Sequence, residues 1–110
     1  MITPEQIQSA LTRTSAILTQ GWCQHDHAQT ADGAWTWSGS PTAARWSLAG
    51  ALNESLRELH LSMHYPRVMQ TLREQLPPPH RDPEDWQDLP TTTLADVLAL
   101  VERVKTEVAL

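Results

Sequence analysis

The sequence predicts a mainly α fold: a small single helical domain over residues 1–110, of about four helices with a short β-hairpin or irregular insert near residues 22–40. Three observations predict it. Apolar residues recur at helical spacing in separate segments, proline or a hydroxyl or carboxylate cap stands at the start of several, and the helical period is lost between Trp22 and Ser40. A chain of 110 residues buries roughly 65% of the surface its unfolded form exposes, enough for one core without staples. The hydrophobic fraction of 40% and charged fraction of 19% are those of a folded domain and not of a disordered one.

The first helix, about residues 4 to 19, opens on Thr3 as N-cap with Pro4 at its first position and Gln6 closing a capping box. Ile7, Ala10, Leu11, Thr14, Ile17 and Leu18 form one face, and Gly21 stands where a left-handed C-cap belongs. In "TADGAWTW" Asp32-Gly33 makes a turn between two short extended pieces, with Trp35 and Trp37 sharing one face of the second. A second helix is expected from about Thr42, with Trp46, Leu48, Ala49, Leu52, Leu56 and Leu59 on its apolar stripe. Gly50 within it costs about 1 kcal/mol relative to Ala, which points to a crowded contact. Pro66 starts a third helix carrying Tyr65, Met69, Leu72 and Leu76, stopped at Pro77 to Pro79. Asp82 before Pro83 caps a single turn ending in Trp86, which anchors a long connection. The last helix follows Thr93 as cap with Asp96 at its third position; Val97, Leu100, Val101, Val104 and Val108 face inward, and Arg103 and Lys105 suit its C-terminal dipole.

The bulk numbers narrow the function classes. The single cysteine makes no internal disulfide, no N-terminal pattern reads as a signal peptide, and no uncharged stretch is long and apolar enough to span a bilayer. A cytoplasmic protein without a membrane role is the expectation. The net charge of −5, with Arg13, Arg45, Arg57, Arg67, Arg73, Arg81 and Arg103 dispersed, offers no basic stripe and disfavours direct nucleic-acid binding.

The stretch "GWCQHDH" is the nearest approach to a chemical site. If extended, it places Cys23, His25 and His27 on one face, a thiolate and two imidazoles that suit zinc, with His60 and His64 at helical spacing as further ligands. Against this, structural zinc sites show paired ligands at tight spacing twice over, and a buried cysteine beside a solvated "HDH" tip accounts for the same residues. A thiol nucleophile, Cys23 with His25 or His27 as base and Asp26 or Asp32 as orienter, lacks any sign of an oxyanion hole or nucleophile turn. No catalytic residue is assigned, and the expectation is no cofactor, with zinc the alternative.

Two surfaces remain. Trp22, Trp46 and Trp86 sit beside helix ends and read as core, whereas Trp35 and Trp37 share a strand face that is either buried, the simpler reading, or an apolar platform for a partner. Asp82, Glu84, Asp85 and Asp88 cluster in a proline-rich connection. Capping explains Asp82 and Asp85, and the group is read as a solvated face, or as an acidic patch that steers a basic partner.

The order "GWCQ", "ARWSLAGAL" and "WQDLPTTTLADVLALVERV" resembles an uncharacterised family of small bacterial proteins, mostly actinobacterial with some phage members. The resemblance runs through Gly21, Trp22, Cys23, Arg45, Gly50, Ala51, Leu52, Trp86, Asp88, Pro90 and Thr93. It departs at Ser47, where the family often carries a second cysteine, and at Gln87, where it often carries asparagine. Ser47 removes half of any cysteine pair, which weakens the metal reading, and the resemblance implies a shared scaffold without an activity. The expectation is therefore a non-catalytic protein-protein interaction module, with an accessory of a phage or mobile element as one setting for it, contacting an unidentified protein through Trp35 and Trp37 and through the acids at 82 to 88. A small zinc protein centred on Cys23, His25 and His27 is the alternative, and an acidic decoy of a nucleic-acid-binding site is a third reading. The apolar face of the last helix closes the core or pairs two copies as a homodimer.

Overall fold

The computed structural model describes residues 1–109, a mainly helical chain with five α-helices and a three-stranded antiparallel sheet. Helix α1 (Pro4–Gln20) has the cap its sequence calls for: Thr3 Oγ1 accepts from the Gln6 N–H at 3.1 Å, and Gln6 Oε1 accepts from the Thr3 N–H at 2.9 Å. Its face of Ile7, Ala10, Leu11, Thr14, Ile17 and Leu18 is buried, and the helix packs on α2 (Leu48–Glu58) and on α5 (Leu94–Ala109). The one polar member of that face is satisfied internally. Thr14 Oγ1 lies 2.8 Å from the Ala10 carbonyl and 3.0 Å from Ser55 Oγ, which donates to the Ala51 carbonyl at 2.8 Å.

Helix α5 opens on reciprocal bonds between Thr93 and Asp96 and buries Val97, Leu100, Val101 and Val104. It runs on to Ala109, so Arg103 and Lys105 lie before its last turn, which holds no base. Helix α3 (Tyr65–Glu74) follows a single 3₁₀ turn at Ser62–His64 and buries Val68, Met69 and Leu72. The short α4 (Pro83–Gln87) is the expected proline-initiated turn, capped by Asp82 Oδ1, and Trp86 is buried in the common core.

The insert contains the expected hairpin and adds a third strand to it. It holds β1 (Ala28–Thr30), β2 (Trp35–Thr36) and β3 (Ala43–Trp46) in the order β2-β1-β3. The turn is as read: Ala31, Asp32 and Gly33 form a three-residue loop with Gly33 at φ 88°, closed by Thr30 N–H to Ala34 C=O at 2.9 Å and Gly33 N–H to Thr30 C=O at 3.0 Å.

Strand β3 lies where the second helix was expected to begin. Ala43 to Trp46 are helix-compatible one by one, but they supply the second ladder of β1, and α2 starts only after Ser47, whose Oγ accepts from the Gly50 N–H at 3.1 Å. Trp46 therefore belongs to a strand, half-buried, with its indole N–H on the Ser38 carbonyl at 3.0 Å.

Two glycines are set by close approach of backbone. Gly21 is extended, φ −179° and ψ 131°, and not a left-handed cap; a Cβ there would stand 2.2 Å from the Ala44 carbonyl oxygen of β3. Gly50 meets the crowded contact expected of it, since its Cβ would lie 1.9 Å from the His27 carbonyl oxygen. The sheet is thus seated directly on the end of α1 and the start of α2.

Candidate functional site

The "GWCQHDH" segment joins α1 to β1, and the structure does not bring its three expected ligands together. Cys23 turns inward, and its Sγ lies 3.5 Å from the Asp26 carbonyl as donor. Burial, reinforced by the Asp26 charge, pushes its thiol up to about 11, so it stays protonated and weakly nucleophilic at neutral pH. His25 stands in the left-handed region at φ 75° with its side chain exposed, its backbone N–H held by Asp88 Oδ1 at 2.9 Å. His27 is also exposed, while its carbonyl accepts from the Ser47 N–H at 3.1 Å. Among the described residues no three His, Cys, Asp or Glu side chains are grouped to hold a metal ion. His60, at φ 59° and exposed beyond the end of α2, adds no ligand to such a group.

What organises this segment is a residue that composition did not single out. Gln87 is fully buried, and its Oε1 accepts from the Trp22 indole N–H at 2.7 Å and the Leu48 N–H at 3.1 Å. Its Nε2 donates to the Cys23 carbonyl at 3.3 Å and to Asp88 Oδ1. Gln24 completes the clasp, its Nε2 donating to the Gln87 and Leu89 carbonyls at 2.8 and 2.9 Å. The clasp joins the "GWCQ", "WSLAG" and "WQDL" stretches, with Ser47 serving as helix cap.

The same arrangement accounts for most of the acidic cluster. Glu84 Oε1 accepts from the Ala49 N–H at 2.8 Å, so Leu48, Ala49 and Gly50 at the start of α2 all have side-chain acceptors, from Gln87, Glu84 and Ser47. Burial raises the Glu84 carboxyl above its ordinary range, partly offset by the Ala49 bond. Asp82 caps α4 and Asp88 holds the His25 and Gln87 donors. Asp85 alone is exposed without such a task; its own N–H lies 3.4 Å from Asp82 Oδ1. Three of the four acids at 82 to 88 thus accept hydrogen bonds within the fold, while Asp82 and Asp85 stay exposed.

Trp35 and Trp37 stand out against this internal economy of partners. Burial is the simpler reading of the pair in sequence, yet they are 68% and 57% exposed, the most exposed aromatic side chains of the described residues. The register explains it. Thr36 pairs with Ala28, and Ala28 with Trp46, on the face turned to the core, so Trp35 shares the outer face with Gln29 and Arg45.

The Trp37 ring is propped on its own turn: a Cβ at Gly39 would stand 2.2 Å from it, and the Ser40 N–H closes the turn onto the Trp37 carbonyl at 3.1 Å. Ser38 beneath it is buried and fixed by Asn53 Nδ2 at 2.8 Å and by the Trp46 indole. The second indole thus packs on a turn that hydrogen bonds tie to Trp46 and Asn53.

These features define a helical scaffold that carries a small sheet with an exposed tryptophan pair, clasped to the helices by buried glutamine. The chain belongs to a family of unknown function, DUF6197, whose model matches residues 2–107. No curated protein and no solved structure matches it.

Proposed function

We propose that this protein is a non-catalytic binding module that takes a protein partner on the outer face of its sheet, through Trp35 and Trp37. The observation that carries the reading is the joint exposure of the two indoles at the edge strand and the turn that follows it. Taking ~250 Å² per indole, the two expose roughly 300 Å² of aromatic surface. At about 25 cal/mol per Å², covering it contributes on the order of 7 kcal/mol before association costs. Contiguous apolar surface of a few hundred Å² marks interaction sites. The remaining candidate chemistry adds little to a catalytic alternative, since the thiol is buried and protonated and the carboxylates are bound to backbone N–H groups.

The test is the double substitution Trp35→Ala/Trp37→Ala, assayed for unfolding in urea and for retention of the partner that wild type holds when isolated from its own host. We expect an unchanged unfolding midpoint and loss of the partner. A destabilised variant would mean that the pair serves the fold and not a partner, and an unaffected complex would move the surface elsewhere.

A further inference from the structure

We infer that the partner is added to the sheet as a strand: an extended, cationic segment lies along the free edge of β2 with basic side chains over Trp35 and Trp37. This rests on the reading of the tryptophan face as the binding surface.

The backbone of β2 provides the first ground. Strand β2 is the edge of the sheet. The Thr30 N–H to Ala34 C=O bond and the Ala28↔Thr36 register turn the backbone groups of Ala34 and Thr36 toward β1. Alternation then directs the Trp35 N–H, the Trp35 C=O and the Trp37 N–H away from the sheet, while the Trp37 C=O is taken by Ser40. Three free groups at two-residue spacing match what an added antiparallel strand pairs with, beside two indoles able to grip alternate side chains.

Size decides between occupants. A stable interface covers about 800 Å² on each partner, whereas the tryptophans offer roughly 300 Å². Two copies joined edge to edge over a strand of two residues would cover too little for a stable dimer, whereas one extended segment bound transiently needs no such area.

Charge sets its sign. The chain carries −5, and no Lys or Arg stands between Arg13 and Arg45, a stretch that includes the whole of β1 and β2. Asp32 is fully exposed in the loop before β2, and the Thr30 hydroxyl holds its carboxyl below the usual range. Arg45 lies on the same face two strands in, directed at the Ala31 carbonyl 3.5 Å away. A cation beside β2 meets indole faces and the free Asp32 carboxylate, whereas an anion meets only Arg45, which is already turned to the Ala31 carbonyl.

The test is a titration of the ¹⁵N-labelled protein, followed by amide and indole resonances, with short peptides of alternating Lys and Val. The Glu-Val counterpart and a Lys-Val peptide N-methylated at alternate bonds are the comparisons. The proposal expects the Trp35, Thr36 and Trp37 amides and both indoles to shift with the Lys-Val peptide, and both comparison peptides to bind at least about tenfold more weakly. No shift at residues 35 to 37, or an equal response to the Glu-Val peptide, overturns it. Shifts confined to the indoles, with the N-methylated peptide bound equally well, overturn strand addition and leave the tryptophan surface standing. Equal peptide binding by Trp35→Ala/Trp37→Ala removes that surface as well.

Discussion

At the scale of single residues, the chemistry of this protein is largely turned inward. Gln87 holds the Trp22 indole, the Leu48 N–H and the Cys23 carbonyl in a buried position, so Gln87→Ala strands several polar groups at once. Each uncompensated buried group costs ~1–3 kcal/mol, and we expect a loss of about 3 kcal/mol in urea unfolding. Glu84 gives a pH signature. Its folded pKa is raised, so its stabilising contribution is complete below the ordinary value of 4.5 and is lost as pH rises through the folded value. Glu84→Gln keeps an acceptor for Ala49 without the buried charge, and should gain stability relative to wild type as pH rises from 4.5 to neutrality. Thermal unfolding of both proteins across that range measures the difference. Cys23, buried with its thiol near 11, should resist a soluble disulfide reagent in the native state and react stoichiometrically in denaturant. Of these features only the burial of Cys23 is legible from sequence. A glutamine that binds three segments looks like any other glutamine until the fold brings Trp22, Leu48 and Cys23 to it.

At the scale of elements, what could be read was what is local. The Thr3 and Thr93 caps, the proline starts at Pro66 and Pro83 and the Asp32-Gly33 turn each lie within one turn of the chain, and the structure contains all of them. The strand Ala43–Trp46 was not legible, because alanines and a tryptophan beside a helical stripe carry the same period as the helix that follows; pairing with β1 overrides them. Gly21 shows the same limit in reverse, as a glycine after a helix that serves the approach of Ala44 and not a left-handed turn. Gly50 tests how tightly the sheet is seated. In an open helix Gly→Ala gains about 1 kcal/mol, but here the new methyl would meet the His27 carbonyl. Gly50→Ala should therefore destabilise by about 2–3 kcal/mol, the cost of overpacking against backbone. A stabilised variant would mean that the sheet can shift away from α2.

At the scale of the whole molecule, the helices and the sheet divide the work. The core of α1, α2, α3 and α5, with Trp86 within it, accounts for stability, and the sheet carries the exposed aromatic face. Sequence placed the two tryptophans at strand spacing and favoured their burial, since aromatic side chains dominate small cores, whereas both are exposed. Exposure followed from which way β1 and β3 turned, a matter of register that composition does not carry. The central claim is that Trp35 and Trp37 bind a partner and leave the fold to other residues. Native mass spectrometry of untagged wild type and of Trp35→Ala/Trp37→Ala, each purified from the natural host, tests it most directly. The account predicts a second protein on the wild-type subunit and a bare, folded subunit for the variant. The same second protein on both would contradict it, as would a bare wild-type subunit carrying only a metal ion lost on acidification, which would return the centre of function to Cys23, His25 and His27.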